Sequence, residues 1–232
     1  MLVHMSKHGF LLALVILLFS NFAFADAEMT PLLGPSEEGT DQPLMWEASR
    51  GAEGKAWTAG TKQMIQQYGS HMLLGTDDIK TFCPNFLSLS VPQKVHFWAF
   101  LISAITRFEC DYDPAVRYVE PGMGTDPITG MPIASEGLLQ LSYQDVISFP
   151  FCNEFDWNVD KHLDPLDKKK TIFDPYKNLR CGIRILDLQV QRYNKIGTET
   201  GGYWSVIIPT NKHTKIPQIL GFIKTSVKFC GL

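Results

Sequence analysis

The apolar positions of the chain form one long helical stripe and several shorter ones. Over Val91–Glu109 (VPQKVHFWAFLISAITRFE), Phe97, Leu101, Ile105 and Phe108 recur at four- and three-residue steps, and Trp98, Ile102 and Ala104 widen the band. That period predicts an α-helix, and one so apolar is buried on most sides. Pro92 suits its first turn, and Pro114 stops it soon after Cys110,. A second stripe, Leu179, Ile183, Leu186 and Val190, predicts a helix over Asn178–Tyr193 with Asn178 as N-cap,. Shorter helices are expected over Trp57–Tyr68, with Met64 and Ile65 inward, and near Pro217–Phe229, ending on Cys230. Ser142–Ser148 reads as a short helix capped by Ser142, with Asp145 in a capping-box-like place,. Gly and Pro crowd the stretch from Pro114 to Ser135, which predicts a loop or a small β-hairpin,. Asn153–Lys170 is polar and reads as surface. The expected class is α+β, mainly α, with helices around a buried central helix and a small irregular or β region.

The beginning of the chain follows a different pattern. Phe10–Phe22 is nearly continuous apolar sequence after Lys7 and His8, and Ala23-Phe24-Ala25 offers a small-x-small cleavage site. This is the plan of a signal peptide over 1–25. It implies export, periplasmic or secreted, after cleavage near Ala25. Residues 26–55, rich in Glu, Gly, Pro and Ser, read as a flexible leader,. Residues 56–232 are then the functional domain.

Charge narrows the partners. A net charge of −3 over 232 residues offers no basic stripe, which argues against nucleic-acid binding,. The five cysteines form no CxxC pair and no His cluster accompanies them, so neither a metal site nor a cofactor is expected,. In an exported chain an odd count suggests two disulfides and one remaining thiol.

Two places carry candidate chemistry. Glu109 closes the apolar helix beside Phe108 and Trp98, where burial and the negative end of the helix dipole both disfavour a charged carboxylate,. A carboxyl kept protonated near neutrality is what a general acid needs. The alternative is a surface glutamate bridged to Arg107 or Arg117. The second place is "SEGLLQLSYQD", Ser135–Asp145, where Gln140 interrupts an apolar run just after Glu136 and Gly137. A backbone turn, an apolar shelf and an amide suit a sugar, and Tyr143, Tyr203 and Trp204 could add ring faces. Taken singly, each of these aromatics is as well explained as core.

"ITRFECDYDP", "SEGLLQLSYQD", "TIFDPYKNLRCGIRIL" and "GGYWSV" together, in this order, resemble the soluble lytic transglycosylase and goose-type lysozyme superfamily. The resemblance spans roughly Cys83 to Ser205. In that family a catalytic Glu precedes Ser-x-aromatic-x-Pro, here Glu109-Cys110-Asp111-Tyr112-Asp113-Pro114. A Gly-Leu-Met-Gln motif corresponds to Gly137-Leu138-Leu139-Gln140. An "FDP…N…G…YL" segment corresponds to Phe173-Asp174-Pro175, Asn178, Gly182 and Ile185-Leu186. Cys110 replaces the family serine, and the Ala-Tyr-Asn motif survives only partly, in Tyr193-Asn194 or by substitution in Tyr203-Trp204.

The resemblance implies a lysozyme-like fold acting as a monomer on peptidoglycan glycan strands. Its target is the β-1,4 bond from N-acetylmuramic acid to N-acetylglucosamine, with Glu109 as general acid. It implies substrate contacts by Glu136, Gly137, Leu139, Gln140, Tyr143 and Tyr203. Glu136 is the favoured second carboxylate, with Glu120 and Asp126 behind it. Hydrolysis and anhydro-forming transglycosylation both remain open. For the thiols, Cys152–Cys181 and Cys83–Cys230 are the favoured bridges, with Cys83–Cys110 as a rival. Two other classes stand beside this one: a nucleophilic Cys110 served by His71, His96, His162 or His213, and a non-catalytic peptidoglycan-binding module of the same fold.

Overall fold

The computed structural model describes residues 38–232. The signal peptide expected over 1–25, and the leader up to residue 37, lie outside the described residues. The described chain is α+β and mainly α, with a single two-stranded antiparallel ribbon among the described residues.

At its centre is α4, Val91–Cys110. Ser90 starts it with a capping box: Gln93 N donates to Ser90 Oγ at 3.4 Å, and Ser90 N donates to Gln93 Oε1 at 3.1 Å,. Every residue from Val95 to Thr106 is buried. Three of its polar members find partners: Ser103 Oγ donates to Phe100 O and Thr106 Oγ1 to Ile102 O, while Trp98 Nε1 reaches Met72 O at 2.8 Å. Such pairing removes the penalty of burying them. Neither ring nitrogen of the buried His96 has a hydrogen-bond partner among the described residues.

Around it stand α1 (Glu47–Tyr68), α2 (Ser70–Leu74), α7 (Pro175–Tyr193) and α8 (Ile216–Ser226). α1 packs on α4 and α7, and α8 packs on α4. Asp187 of α7 accepts from the backbone N of His71 and Met72, closing the first turn of α2,. α3 (Ile79–Phe82) leads into Cys83, which is bonded to Cys230 behind α8; Cys152 is bonded to Cys181 of α7. These are the favoured pairings, and Cys110 is free. No described helix is long and apolar enough to cross a membrane. The two disulfides fit an exported protein.

Several local expectations need correcting. The leader does not extend to residue 55: Leu44 and Trp46 are fully buried, and α1 begins at Glu47. Trp46 Nε1 donates to Thr58 Oγ1 at 3.0 Å and its ring stands edge-on to Trp57. The area of one tryptophan outweighs the polar residues beside it. α7 begins three residues earlier than expected, at Pro175, because Asp174 caps it by accepting from Tyr176 N and Lys177 N,. α5 covers Asp145–Ser148; Ser142 N donates to Asp145, but the Ser142 hydroxyl goes to Asp126 instead of capping. The polar run Asn153–Lys170 is not all surface. It holds α6 (Trp157–Asp160) and inserts Asp160 and Lys170 into the interior.

Candidate active site

A groove of about 580 Å³ runs between the end of α4, the ribbon of β1 (Arg117–Val119) and β2 (Ala134–Glu136), the loop entering α5, and Tyr203-Trp204. Glu109 lies at its base. Directly after α4, Asp111 and Tyr112 take left-handed φ values of 50° and 66°, so the chain turns sharply away. The last helical turn is thereby left open to the groove. Arg107 pairs with Asp111, and Arg117 pairs with Glu136. Neither bridges Glu109, whose carboxyl makes no hydrogen bond or ion pair among the described residues. Burial, and then the negative charge of Glu120, raise its pKa from 4.5 to about 7,. Trp98 is not its neighbour in this; that indole is hydrogen-bonded to Met72 on the core side.

Glu120 enters the groove from the ribbon. Its backbone N donates to Ile133 O at 2.9 Å, and its Oε1 accepts from Ser135 Oγ at 2.6 Å. The register pairs Arg117 with Glu136, Tyr118 with Ser135 and Val119 with Ala134. Side chains alternate across a strand. Tyr118 and Ser135 therefore line the groove, while Arg117, Ala134 and Glu136 line a separate cavity behind the ribbon.

This alternation removes Glu136 from the site. It is 2% exposed and held by Arg117 Nε and Lys170 Nζ, each at 2.6 Å. A carboxylate fixed between two cations and buried behind the ribbon is structural. Tyr143 is also corrected. It is buried on the same rear side, donating to Asp160 at 2.7 Å and edge-on to Trp157. Asp126 lines the rear cavity as well, bonded to Ser142 and to the backbone of Ile128, Thr129 and Gln144.

Gly137 and Leu139 shape the site from beneath without lining it. Asn178 Oδ1 accepts from Leu139 N at 2.8 Å, and its Nδ2 donates to Glu136 O and Ile172 O. Gly137 has φ +80°, and a Cβ there would lie 2.3 Å from that amide nitrogen. Leu139 packs on α7, where a Cβ at Gly182 would come within 2.3 Å of its Cδ1. Asn178, expected as a helix cap, thus acts as the brace of the Gly-Leu-Leu-Gln turn. The turn ends in Gln140, φ +49°, which lines the groove. Its Nε2 donates to Gly137 O at 2.9 Å and to Val116 O at 3.4 Å, and its carbonyl oxygen has no partner among the described residues.

Tyr203 closes the opposite end of the groove. Its hydroxyl donates to Asp145 Oδ2 at 2.5 Å, and its backbone N donates to Gln189. Burial, with the charge of Asp145 behind it, lifts the phenol pKa well above its ordinary value; burial also raises that of Asp145. Trp204 Nε1 anchors on Leu139 O at 2.9 Å. The structure therefore brings Glu109, Glu120, Gln140 and Tyr203 together, and adds Asp145, Gln144, Tyr118, Met123 and Ser135. Asp145 looked like a helix cap in sequence. Its link to Tyr203 spans 58 residues and leaves no local pattern.

Cys110 does not have the setting of a nucleophile. Its thiol approaches Leu138 O (3.3 Å) and Thr106 O (3.6 Å), and burial lifts its pKa to about 12,. Of the candidate bases, His71 is held by Asp187 at 2.8 Å and His96 is packed in the core against Phe229.

No protein-family model matches the chain, and no curated protein does. Solved structures of Bd0314 DslA, a Bdellovibrio protein, do match. Its wild-type form 2 is 31% identical, with 81% of this chain and 97% of that chain covered and a TM-score of 0.64. Two variants of it, each carrying one Glu-to-Gln change, are 30% identical over 82% of this chain and 98% of theirs, with TM-scores of 0.65 and 0.64.

Proposed function

The chain belongs to the family of Bd0314 DslA, and from that premise we propose that it is a peptidoglycan-cleaving glycosidase of the soluble lytic transglycosylase and goose-type lysozyme superfamily. One observation carries the reading: a carboxyl free of internal partners, protonated up to about pH 7, at the base of a polar groove. Glu109 delivers that proton to the glycosidic oxygen as the bond to the N-acetylmuramic acid carbon breaks. The oxocarbenium-like ring that develops needs an anion beside it and an acceptor to complete the reaction.

Glu120 supplies the anion. The Ser135 hydroxyl orients it, and its negative charge adds to burial in raising the Glu109 pKa. The two glutamates changed in the DslA variants are eleven residues apart in that chain, the separation of Glu109 and Glu120 here. With two carboxylates in one groove, Glu120 serves as base for an attacking water or as nucleophile, which makes hydrolysis the proposed outcome. Gln140, through its open carbonyl, and Tyr203, through its ring, hold the sugar.

Glu109→Gln and Glu120→Gln, each assayed on purified sacculi, test the assignment. Both should abolish release of soluble fragments while the protein still sediments with the wall. Undiminished digestion by Glu109→Gln removes the acid role. Mass spectrometry of the wild-type products tests the reaction: hydrolysis gives reducing ends, and an anhydro product, lighter by one water, would assign transglycosylation instead.

A further inference from the structure

Outside the groove, the α1–α7 face carries a second cleft of about 440 Å³. Its walls are α1, with Gln63, Gln67 and Tyr68, the turn around Phe151 and Asn153, and α7. The Cys152–Cys181 disulfide ties the turn to α7. The floor is built of rings held in place. The Arg184 guanidinium lies 4.3 Å from the centre of the Phe151 ring and 5.1 Å from that of Tyr68, and it donates to Phe151 O,. Tyr176 rests on the backbone of α1: a Cβ at Gly60 would stand 2.8 Å from its ring. Yet Tyr176 remains 39% exposed and lines the cleft.

Around these rings the uncharged polar groups face solvent, Gln63, Gln67 and Asn153 being exposed, and are free to bind a ligand. The side-chain amides of Gln63, Gln67 and Asn153, and the hydroxyls of Tyr68 and Tyr176, make no hydrogen bond among the described residues. The charges, by contrast, are already satisfied. Arg180 is paired with Glu154, and Arg184 is engaged by two rings and a carbonyl. An anionic polymer would find no free cation here, and an apolar helix would strand the amides. A pyranose offers what the cleft lacks: a C–H face for the rings, and hydroxyls that both donate to and accept from amides.

A run of aromatic side chains links the cleft to the groove of Glu109. Tyr203 meets Phe149 at 6.2 Å between ring centres, Phe149 meets Phe151 at 5.8 Å, and Phe151 is the ring under Arg184.

We propose that this cleft is a second carbohydrate-binding site, which holds a glycan strand outside the groove in which bonds are cut. Its carbohydrate class follows from the cleft alone; the choice of wall glycan rests on the function proposed above. Full-length Glu109→Gln, with and without Tyr176→Ala plus Gln67→Ala, is sedimented with insoluble peptidoglycan and, separately, with chitin. Thermal melts establish that each variant is folded. Losing one stacked ring and one amide should weaken retention about tenfold. In the active background, the same change should slow digestion of insoluble wall and leave turnover of short soluble oligosaccharides unchanged. Gln63→Ala plus Asn153→Ala should repeat the loss without touching a ring, and serves if Tyr176→Ala unfolds. Retention unchanged in both folded pairs overturns the site, as does failure of the intact protein to sediment with either polysaccharide. A cleft-dependent grip on chitin by a protein that digests no wall would uphold the site and sink the glycosidase reading. Normal digestion with no effect of either cleft pair would do the opposite.

Discussion

A carboxyl kept protonated by its surroundings costs stability, and that cost can be measured apart from any substrate. Glu109 titrates near 7 in the folded protein, against an ordinary value of 4.5. Below pH 4.5 the folded and unfolded chains both carry the proton, so it contributes nothing. Between the two values the folded chain binds more proton than the unfolded one, and stability falls as pH rises. Above about pH 7 the cost is complete. A pKa gap of about 2.5 corresponds to about 3 kcal/mol at 1.36 kcal/mol per pH unit. The side chain is only partly withdrawn from water, and about half that figure is the better expectation after solvent screening. Glu109→Gln keeps the shape and removes the charge. It should therefore match the wild type near pH 4.5 and exceed it by about 1.5 kcal/mol near pH 8. For a chain of this size that is roughly 3–6 °C in Tm. Thermal melts of both proteins from about pH 4.5 to 8, at constant ionic strength, read the difference directly. A gap that stays flat with pH, or that opens towards acid, would show that Glu109 is ionised in a favourable setting, and the argument for a general acid would fail.

The rear of the ribbon and the free thiol give two more tests. Glu136→Gln should destabilise the protein by about 3–5 kcal/mol in denaturant titration, because Lys170 is only 3% exposed and would be left buried without its counter-charge,. Adding Lys170→Met should recover most of that loss; a double variant no better than the single would show that the pair is not the cause. Cys110 should resist alkylation at about pH 8 in the native state and react only on unfolding. Rapid labelling of folded protein, read by intact mass, would contradict its burial and its pKa of about 12.

The sequence made the central helix legible because its apolar period is strong and Pro92 marks its start; the Ser90 capping box was not read from it. Glu109 was legible as the last polar group on that stripe. What it could not show was which ribbon carboxylate meets it. The Gly- and Pro-rich stretch before Ser135 has no clear alternation, so nothing in it says that Ser135 faces the groove while Glu136 faces away. Nearness to the Gly-Leu-Leu-Gln run favoured Glu136, but the pleat puts Glu136 behind and brings in Glu120 from just past the end of the other strand. Tyr143 followed the same misplacement. Asn178 was read as a cap from its local sequence, whereas its three hydrogen bonds reach two other segments. Trp46 was hidden among leader-like residues, since local composition does not reveal a partner such as Trp57 farther along the chain.

The Tyr118–Ser135 pairing has a further consequence for change in the hairpin that joins the two strands. Sliding one strand past the other by a single residue would swap odd and even positions, turning Glu136 outward and leaving Arg117 and Lys170 without their shared anion. A change of two residues would preserve parity. A tip change around Gly122 to Gly130 that forces such a slip should therefore be tolerated when the slip is even and punished when it is odd, because parity decides whether Ser135 or Glu136 faces the groove,.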